Sequence, residues 1–371
     1  MGFAAFMLIA ASVALAGCAG RHALPSTRYS SADASQPPIV NVAFDQNGAI
    51  YPRSDSDAGL TWPYPLRRTT GPFSLPRHFA DTGQLERYDQ NRILEDFAPT
   101  IEAHLADDAE ARLVVLIHGF NNSYEQASTS FSHVRTILAE DASREVILQV
   151  YWDGLQDPPL GFLPFWFWPD SMTYSNRAGQ CGLRRLMALL PEGTDVTFVT
   201  HSRGAAVALS ALADPRYDDG IRTCDPAPAP PAQLGDVRIA SFAPAIGDGH
   251  VLQGGQRGLA AYPQIDGMVV GFGPNDTATD KHKYGVDISE RFMGDTRFAA
   301  NDAYYRQVEA GSAGRLQRET FLQSEHAWPA YLGAYEPYRA NSRIARCVLW
   351  AAFALARGPE GCAVRRSDSG S

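Results

Sequence analysis

The chain of 371 residues has no basic excess: 32 Lys and Arg stand against 41 Asp and Glu, a formal net charge of −9. Proteins that hold nucleic acid neutralise phosphates with clustered Lys and Arg, so a nucleic-acid role has no electrostatic support here. The apolar run over residues 3–16 is shorter than the ~20 residues a membrane-spanning helix needs. Cysteine is scarce, with five in all, and none has the C-x-x-C spacing of a zinc or dithiol redox site. There is no H-E-x-x-H and no Walker loop, and Gly271-Phe272-Gly273 lacks the last glycine of a dinucleotide fingerprint. No cofactor is implied, no metal site is expected, and no internal repeat is visible.

What is present begins at the N-terminus. The short apolar run ends Leu15-Ala16-Gly17-Cys18, which resembles the bacterial lipobox, where the peptide is cut before the cysteine and the thiol carries diacylglycerol. The resemblance implies a signal peptide over residues 1–17, a lipid on Cys18 and a membrane partner through that anchor. Ala19 is not the Asp associated with inner-membrane retention, which leans toward the outer membrane, facing the periplasm. The departure is that Met1-Gly2 carries no Lys or Arg, which points to a start further upstream. Residues 18–37 are rich in Ser, Ala and Pro and suit a flexible tether. Export makes Cys181, Cys224, Cys347 and Cys362 a disulfide framework with three connectivities. Cys181–Cys224 and Cys347–Cys362 are preferred, because each joins partners close in sequence.

With 45% hydrophobic residues, the remainder is read as a single α/β domain over residues 38–360 and a polar tail over 361–371. Strands are expected at 39–44, 113–117, 146–151, 196–199, 237–242 and 268–272, with helices from 122 or 123 to about 140 and over 172–190, 205–213 and 344–355. Residues 93–105 have helical spacing, but Pro99 is expected to kink or split that helix. Residues 45–80, with Pro52, Pro63, Pro65, Pro72 and Pro76, read as an irregular wrap. Strands alternating with helices imply a mostly parallel sheet with helices on both faces.

Two turns carry chemistry. The buried run VTFV at 196–199 leads through Thr200 and His201 to Ser202, Arg203 and Gly204, and then to a small-residue helix. Strand, sharp turn with serine at the tip, helix: this is the layout of a nucleophile elbow, which presents a hydroxyl at the carboxyl end of a sheet. It also aims the free N–H groups of a helix N-terminus at the reacting centre. The usual pattern is G-x-S-x-G, and Thr200 stands where its first glycine would be. The second turn follows LVVLI at 113–117 and reads His118-Gly119-Phe120-Asn121-Asn122.

Together these turns resemble those of the α/β-hydrolase superfamily, within it a bacterial group of uncharacterised serine hydrolases with H-G-F-N and T-H-S-R-G-A motifs. The resemblance runs from about Leu113 to Trp328. It implies an α/β-hydrolase fold, Ser202 as nucleophile, an oxyanion hole from the backbone N–H groups of Phe120 and Arg203, and a structural role for His118. It also implies the chain order serine, acid, histidine. Histidines after Ser202 are His250, His282 and His326. Asp276, in the turn beyond the strand at 268–272, leads as the acid, ahead of Asp280 and Asp248. With Asp276, His250 is out of order and His282 too close, leaving His326 as the base.

An aromatic insertion at 154–171 holds Phe162, Phe165 and Trp166. It suits an acyl-pocket wall or lid, a membrane contact, or packing over the core. The expected function is a serine hydrolase acting on a small acyl ester. An amidase or thioesterase, or a non-catalytic envelope protein binding in the same cleft, are the alternatives.

Overall fold

The computed structural model describes residues 32–33, 38–52, 73–106, 111–139, 145–156, 168–213, 224, 232–247, 264–273, 276, 278, 306, 310, 312, 314–322, 325–353 and 362. Its strands are β1 (Ala32–Asp33), β2 (Ile39–Phe44), β3 (Arg112–Ile117), β4 (Glu145–Trp152), β5 (Val196–His201), β6 (Val237–Phe242), β7 (Ile265–Phe272) and β8 (Leu316–Thr320). They form one 8-stranded sheet in the order β1-β2-β4-β3-β5-β6-β7-β8. β1 is antiparallel to β2, and every other pairing is parallel.

Parallel strands are covered on both faces, so their sequences run apolar instead of alternating. β3, β5 and β6 are buried along nearly their whole length, and these are the strands the sequence shows most clearly. β8 has no such run: Leu-Gln-Arg-Glu-Thr lies at the sheet edge with only Leu316 and Glu319 buried, and the sequence reading has no strand there. β7 starts at Ile265, earlier than the expected run at 268–272, because Ile265 and Gly267 pair with Val237 and Arg238 of β6 across an irregularity that leaves Asp266 unpaired in the ladder, its carboxylate accepting from the Val237 N–H.

The helices are α1 (Leu75–Asp81), α2 (Gln90–Ala106), α3 (Tyr124–Leu138), α4 (Trp168–Arg177), α5 (Arg184–Met187), α6 (Gly204–Leu212), α7 (Trp328–Tyr331) and α8 (Asn341–Ala352). A π-helical stretch, Ala178–Leu183, joins α4 to α5. One expectation needs correction. α1 lies inside the stretch read as an irregular wrap: Ser74 caps it by accepting from the Arg77 N–H, and Pro76 sits in its first turn, where a proline starts a helix instead of breaking it. α2 runs through Pro99 without splitting. The cost of the proline, roughly 3 kcal/mol, is offset by burial of Ile93, Leu94, Phe97 and Ile101, at about 1.5–3 kcal/mol for each fully buried large side chain. For α3 the cap is Ser123, in a reciprocal capping box with Gln126.

Helices cover both faces. α6 packs on β3 and β5 together with α4 and α5, and α8 packs on β6, β7 and β8. The chain leaves β3 for β4 on one side, then crosses back over β3 to place β5 on its other side. Right-handed crossovers in opposite directions put their helices on opposite faces. The crevice between them opens at the carboxyl ends of β3 and β5, the topological switch point where α/β sheets bind ligands. Both turns singled out in the sequence lie at that point.

Disulfides join Cys181 to Cys224 and Cys347 to Cys362, with Cα–Cα distances of 5.3 and 5.5 Å, the pairing preferred from sequence. The first ring contains β5 and α6. The second ties residue 362, in the stretch read as a tail, to α8. Cys18, Phe162, Phe165 and Trp166 lie outside the described residues. Among those described, no helix is long and apolar enough to cross a membrane.

The bonds enclose sequence separations of 43 and 15 residues. Loop-closure entropy then predicts losses of about 4 kcal/mol for the Cys181→Ser/Cys224→Ser pair and about 3 kcal/mol for Cys347→Ser/Cys362→Ser. Denaturant unfolding measures both; unchanged midpoints would mean that neither ring constrains the unfolded chain.

Candidate active site

Ser202 follows β5 directly and has φ +50°, a left-handed backbone that costs a non-glycine residue energy and marks functional turns. Its N–H donates to the Phe242 carbonyl at 2.8 Å, and its own carbonyl accepts from the Ala245 N–H at 3.1 Å. The turn is thus pinned to the end of β6. A Cβ on Gly204 would come within 2.6 Å of the Ile117 and His118 carbonyl oxygens, so only glycine lets α6 start this close to β3. Thr200, in place of the usual first glycine, is buried and donates its hydroxyl to Ser241 Oγ at 2.8 Å. The departure is accommodated by a partner on β6.

Asp276 and His326 meet Ser202 from far along the chain. His326 Nε2 lies 2.8 Å from Ser202 Oγ. His326 Nδ1 lies 2.9 and 3.1 Å from the two carboxylate oxygens of Asp276. A carboxylate only accepts, so Nδ1 carries the proton, and Nε2 is left to accept the serine O–H. Asp276 is buried, and 26% of the His326 side chain is exposed, so the imidazole faces both the acid and the opening of the site. Asp280, Asp248, His250 and His282 lie outside the described residues.

Burial by itself would push the Asp276 carboxyl up. The His326 ring beside it, its hydrogen bond and the Tyr331 hydroxyl outweigh that, and the group lies below its ordinary value. Tyr331 donates to Asp276 Oδ2 at 2.6 Å and accepts from the Gly273 N–H at 3.0 Å. The Ala278 N–H adds a bond to Oδ1 at 3.1 Å. Tyr331 was not found from sequence. It stands on the short helix α7, and a tyrosine in an apolar setting reads as core.

The turn after β3 is built around His118. Its ring is buried and parallel to Trp152, centroids 5.7 Å apart. The Trp152 N–H donates to Nε2 at 3.1 Å, so Nδ1 carries the proton and donates to the Gly119 carbonyl at 2.9 Å. Burial, above all, lowers this imidazole to about 4, keeping it neutral. Asn122 Nδ2 donates to the Gly119 and Phe120 carbonyls at 3.2 and 3.0 Å. The Gly119 carbonyl and Phe120 N–H share one planar trans peptide and point opposite ways, so fixing the carbonyl also fixes the N–H. The Phe120 ring meets Trp168 edge-on, centroids 5.6 Å apart.

The side chain of Arg203 is buried and bonds to Ser175 Oγ, Asn176 Oδ1 and the Met172 and Ala245 carbonyls. It fastens the elbow to α4. Among the described residues one group could gather metal ligands, Glu319 with Cys347 and Cys362, and its two sulfurs are bonded to each other.

A family model described as "Alpha/beta hydrolase of unknown function (DUF900)" matches residues 95–224, a span that holds both turns but neither Asp276 nor His326. No curated protein matches the chain. Among solved structures, a hyperthermophilic esterase from the archaeon Pyrobaculum calidifontis is similar at 13% identity, over 65% of this chain and 78% of that one, with a TM-score of 0.34. The strand order, the helices on both faces and the family match define an α/β-hydrolase fold.

Tyr331→Phe removes one hydrogen bond to a buried carboxylate, and should cost about 1.5–3 kcal/mol at neutral pH. A carboxyl depressed by folding contributes stability that is present above its unfolded value, near 3.8, and lost as pH falls through its folded value. The gap between wild type and variant in urea unfolding should therefore close as pH drops below about 4; a gap that widened there would overturn the assignment.

Proposed function

We propose that the protein is a serine hydrolase that cleaves a carboxylic ester through an acyl-serine intermediate, anchored in the cell envelope by lipid on Cys18. The observation that carries this reading is the hydrogen-bonded chain from Ser202 Oγ through His326 to Asp276, at 2.8 and 2.9 Å. A serine hydroxyl is a weak nucleophile at neutral pH and needs a base, and the base needs an orienting acceptor.

As Ser202 Oγ attacks the ester carbonyl carbon, its proton passes to His326 Nε2. The carbonyl oxygen gains the electron pair and is held by the Phe120 and Arg203 N–H groups, each such donor being worth about 3–4 kcal/mol. Collapse expels the alcohol, which takes the proton from His326. Water then attacks the acyl-serine with the same imidazole as base, releasing the carboxylic acid and restoring the hydroxyl. Asp276 stays anionic throughout and stabilises the imidazolium. Phe120 and Trp168, with Phe162, Phe165 and Trp166 of the neighbouring aromatic segment, favour an ester with an apolar part. The anchor reading rests on the lipobox-like tetrapeptide, and Ala19 after the cysteine supports the outer membrane, facing the periplasm, as its location.

A fluorophosphonate probe should label wild-type protein at Ser202 and leave Ser202→Ala unlabelled. Asp276→Asn should lower kcat on p-nitrophenyl esters by about 10⁴-fold, since the amide presents the wrong tautomer to the imidazole. Intact protein that does not label would favour a binding role, and faster turnover of matched amides or thioesters would move the substrate class. Cys18→Ser should release the protein from the membrane fraction; retention there would remove the anchor.

A further inference from the structure

The residue before the nucleophile has no role in the chemistry above, yet it touches both halves of the site. His201 is 2% exposed. Its Nε2 lies 2.6 Å from the main-chain carbonyl oxygen of His326. A carbonyl can only accept, so Nε2 carries the proton. The ring lies parallel to Trp328, with centroids 5.5 Å apart and planes 13° apart, and its centroid is 5.0 Å from that of His326. Its other nitrogen, Nδ1, makes no hydrogen bond among the described residues and faces the turn after β3, where a Cβ on Gly119 would come within 2.8 Å of it.

We propose that His201 is a positioning residue for the base: its Nε2–H bond to the His326 carbonyl fixes the backbone of the loop that carries the base. This rests on the reading of Ser202, His326 and Asp276 as a catalytic triad. A backbone anchor matters because His326 is not carried on a strand or helix; it follows β8 in the loop before α7. Misplacement by about 1 Å can cost 10²-fold in rate.

The arrangement works only with a neutral ring, since a second proton on Nδ1 would be a buried donor without an acceptor. Burial chiefly holds the group in the neutral form, the His326 and His118 rings push the same way, and Asp276 and the carbonyl bond push against them. The Tyr331 ring, 6.4 Å away, is the titratable group that faces it from α7. A neutral neighbour adds no repulsion when His326 takes up its proton.

Two variants separate the N–H from the ring. His201→Gln keeps an N–H near the Nε2 position and gives up stacking; His201→Phe keeps the stacked ring and gives up the donor. Fluorophosphonate labelling of the wild type comes first: an unlabelled Ser202 removes the triad reading itself. Given labelling, His201→Phe should lower kcat for p-nitrophenyl butyrate by about 10–100-fold with KM little changed, and His201→Gln should recover to within about threefold of wild type. Equal loss in both, or none in His201→Phe, overturns the proposal. Nitrogen-15 histidine NMR of the wild type needs no variant. It should find His201 neutral and protonated at Nε2, with any titration well below the ordinary histidine value of 6.5; a ring protonated at Nδ1, or titrating near 6.5, would equally overturn it.

Discussion

Two turns pressed against each other set the geometry on which everything else depends. Gly204 lies where a Cβ would strike the Ile117 and His118 carbonyls, and Gly119 where one would strike Ser202 and His201. Each turn therefore occupies the space that a side chain on the other would need. The left-handed backbone at Ser202, a strain of about 1–3 kcal/mol, persists because its peptide groups are tied to Phe242 and Ala245. Ala243, at φ +45°, bends the end of β6 in the same way, its N–H bonded to the Gly271 carbonyl at 2.7 Å. Left-handed residues at two successive strand ends let the loops cross the crevice close to the serine.

The second demand is electrostatic. Around Ser202 the fold buries a carboxylate, two imidazoles and a guanidinium, all of which favour water when charged. Different surroundings give them different charge states. Donors converge on Asp276 and keep it ionised. His118 has a donor, an acceptor and a parallel indole around it, and burial outweighs the pull of Asp153 and keeps it neutral. The Arg203 guanidinium is bonded to oxygens on α4 and beyond β6, which compensate its burial. Environment thus sets different charge states for titratable groups packed into one small region.

The parts of this site legible in the sequence were those with a local signature. β3 and β5 are apolar runs ending in small-residue turns, and the chain-order rule then singled out Asp276 and His326 from several candidates. These side chains are brought together, although they lie 50 and 124 positions apart. What was hidden has no local pattern. β8 exists because the edge of β7 needs a partner, and its polar sequence carries no apolar run. α1 was masked by the prolines around it, one of which starts the helix. Tyr331 and His201 are hydrogen-bonded to residues 55 and 125 positions away, and no periodicity records such a bond.

The covalent and polar bracing behind the site follows the same division. Cys347–Cys362 holds α8, which lies across β6, β7 and β8. Asn341, at the start of α8, donates to the Ala330 carbonyl of α7 at 3.1 Å, and α7 carries the Tyr331 hydroxyl that orients Asp276. On the other side, Cys181–Cys224 holds the π-helical stretch against which α6 packs, and α6 begins at the elbow. Asp276 and Ser202 are thus supported by separate braces, and His326, in the loop before α7, is hydrogen-bonded to both.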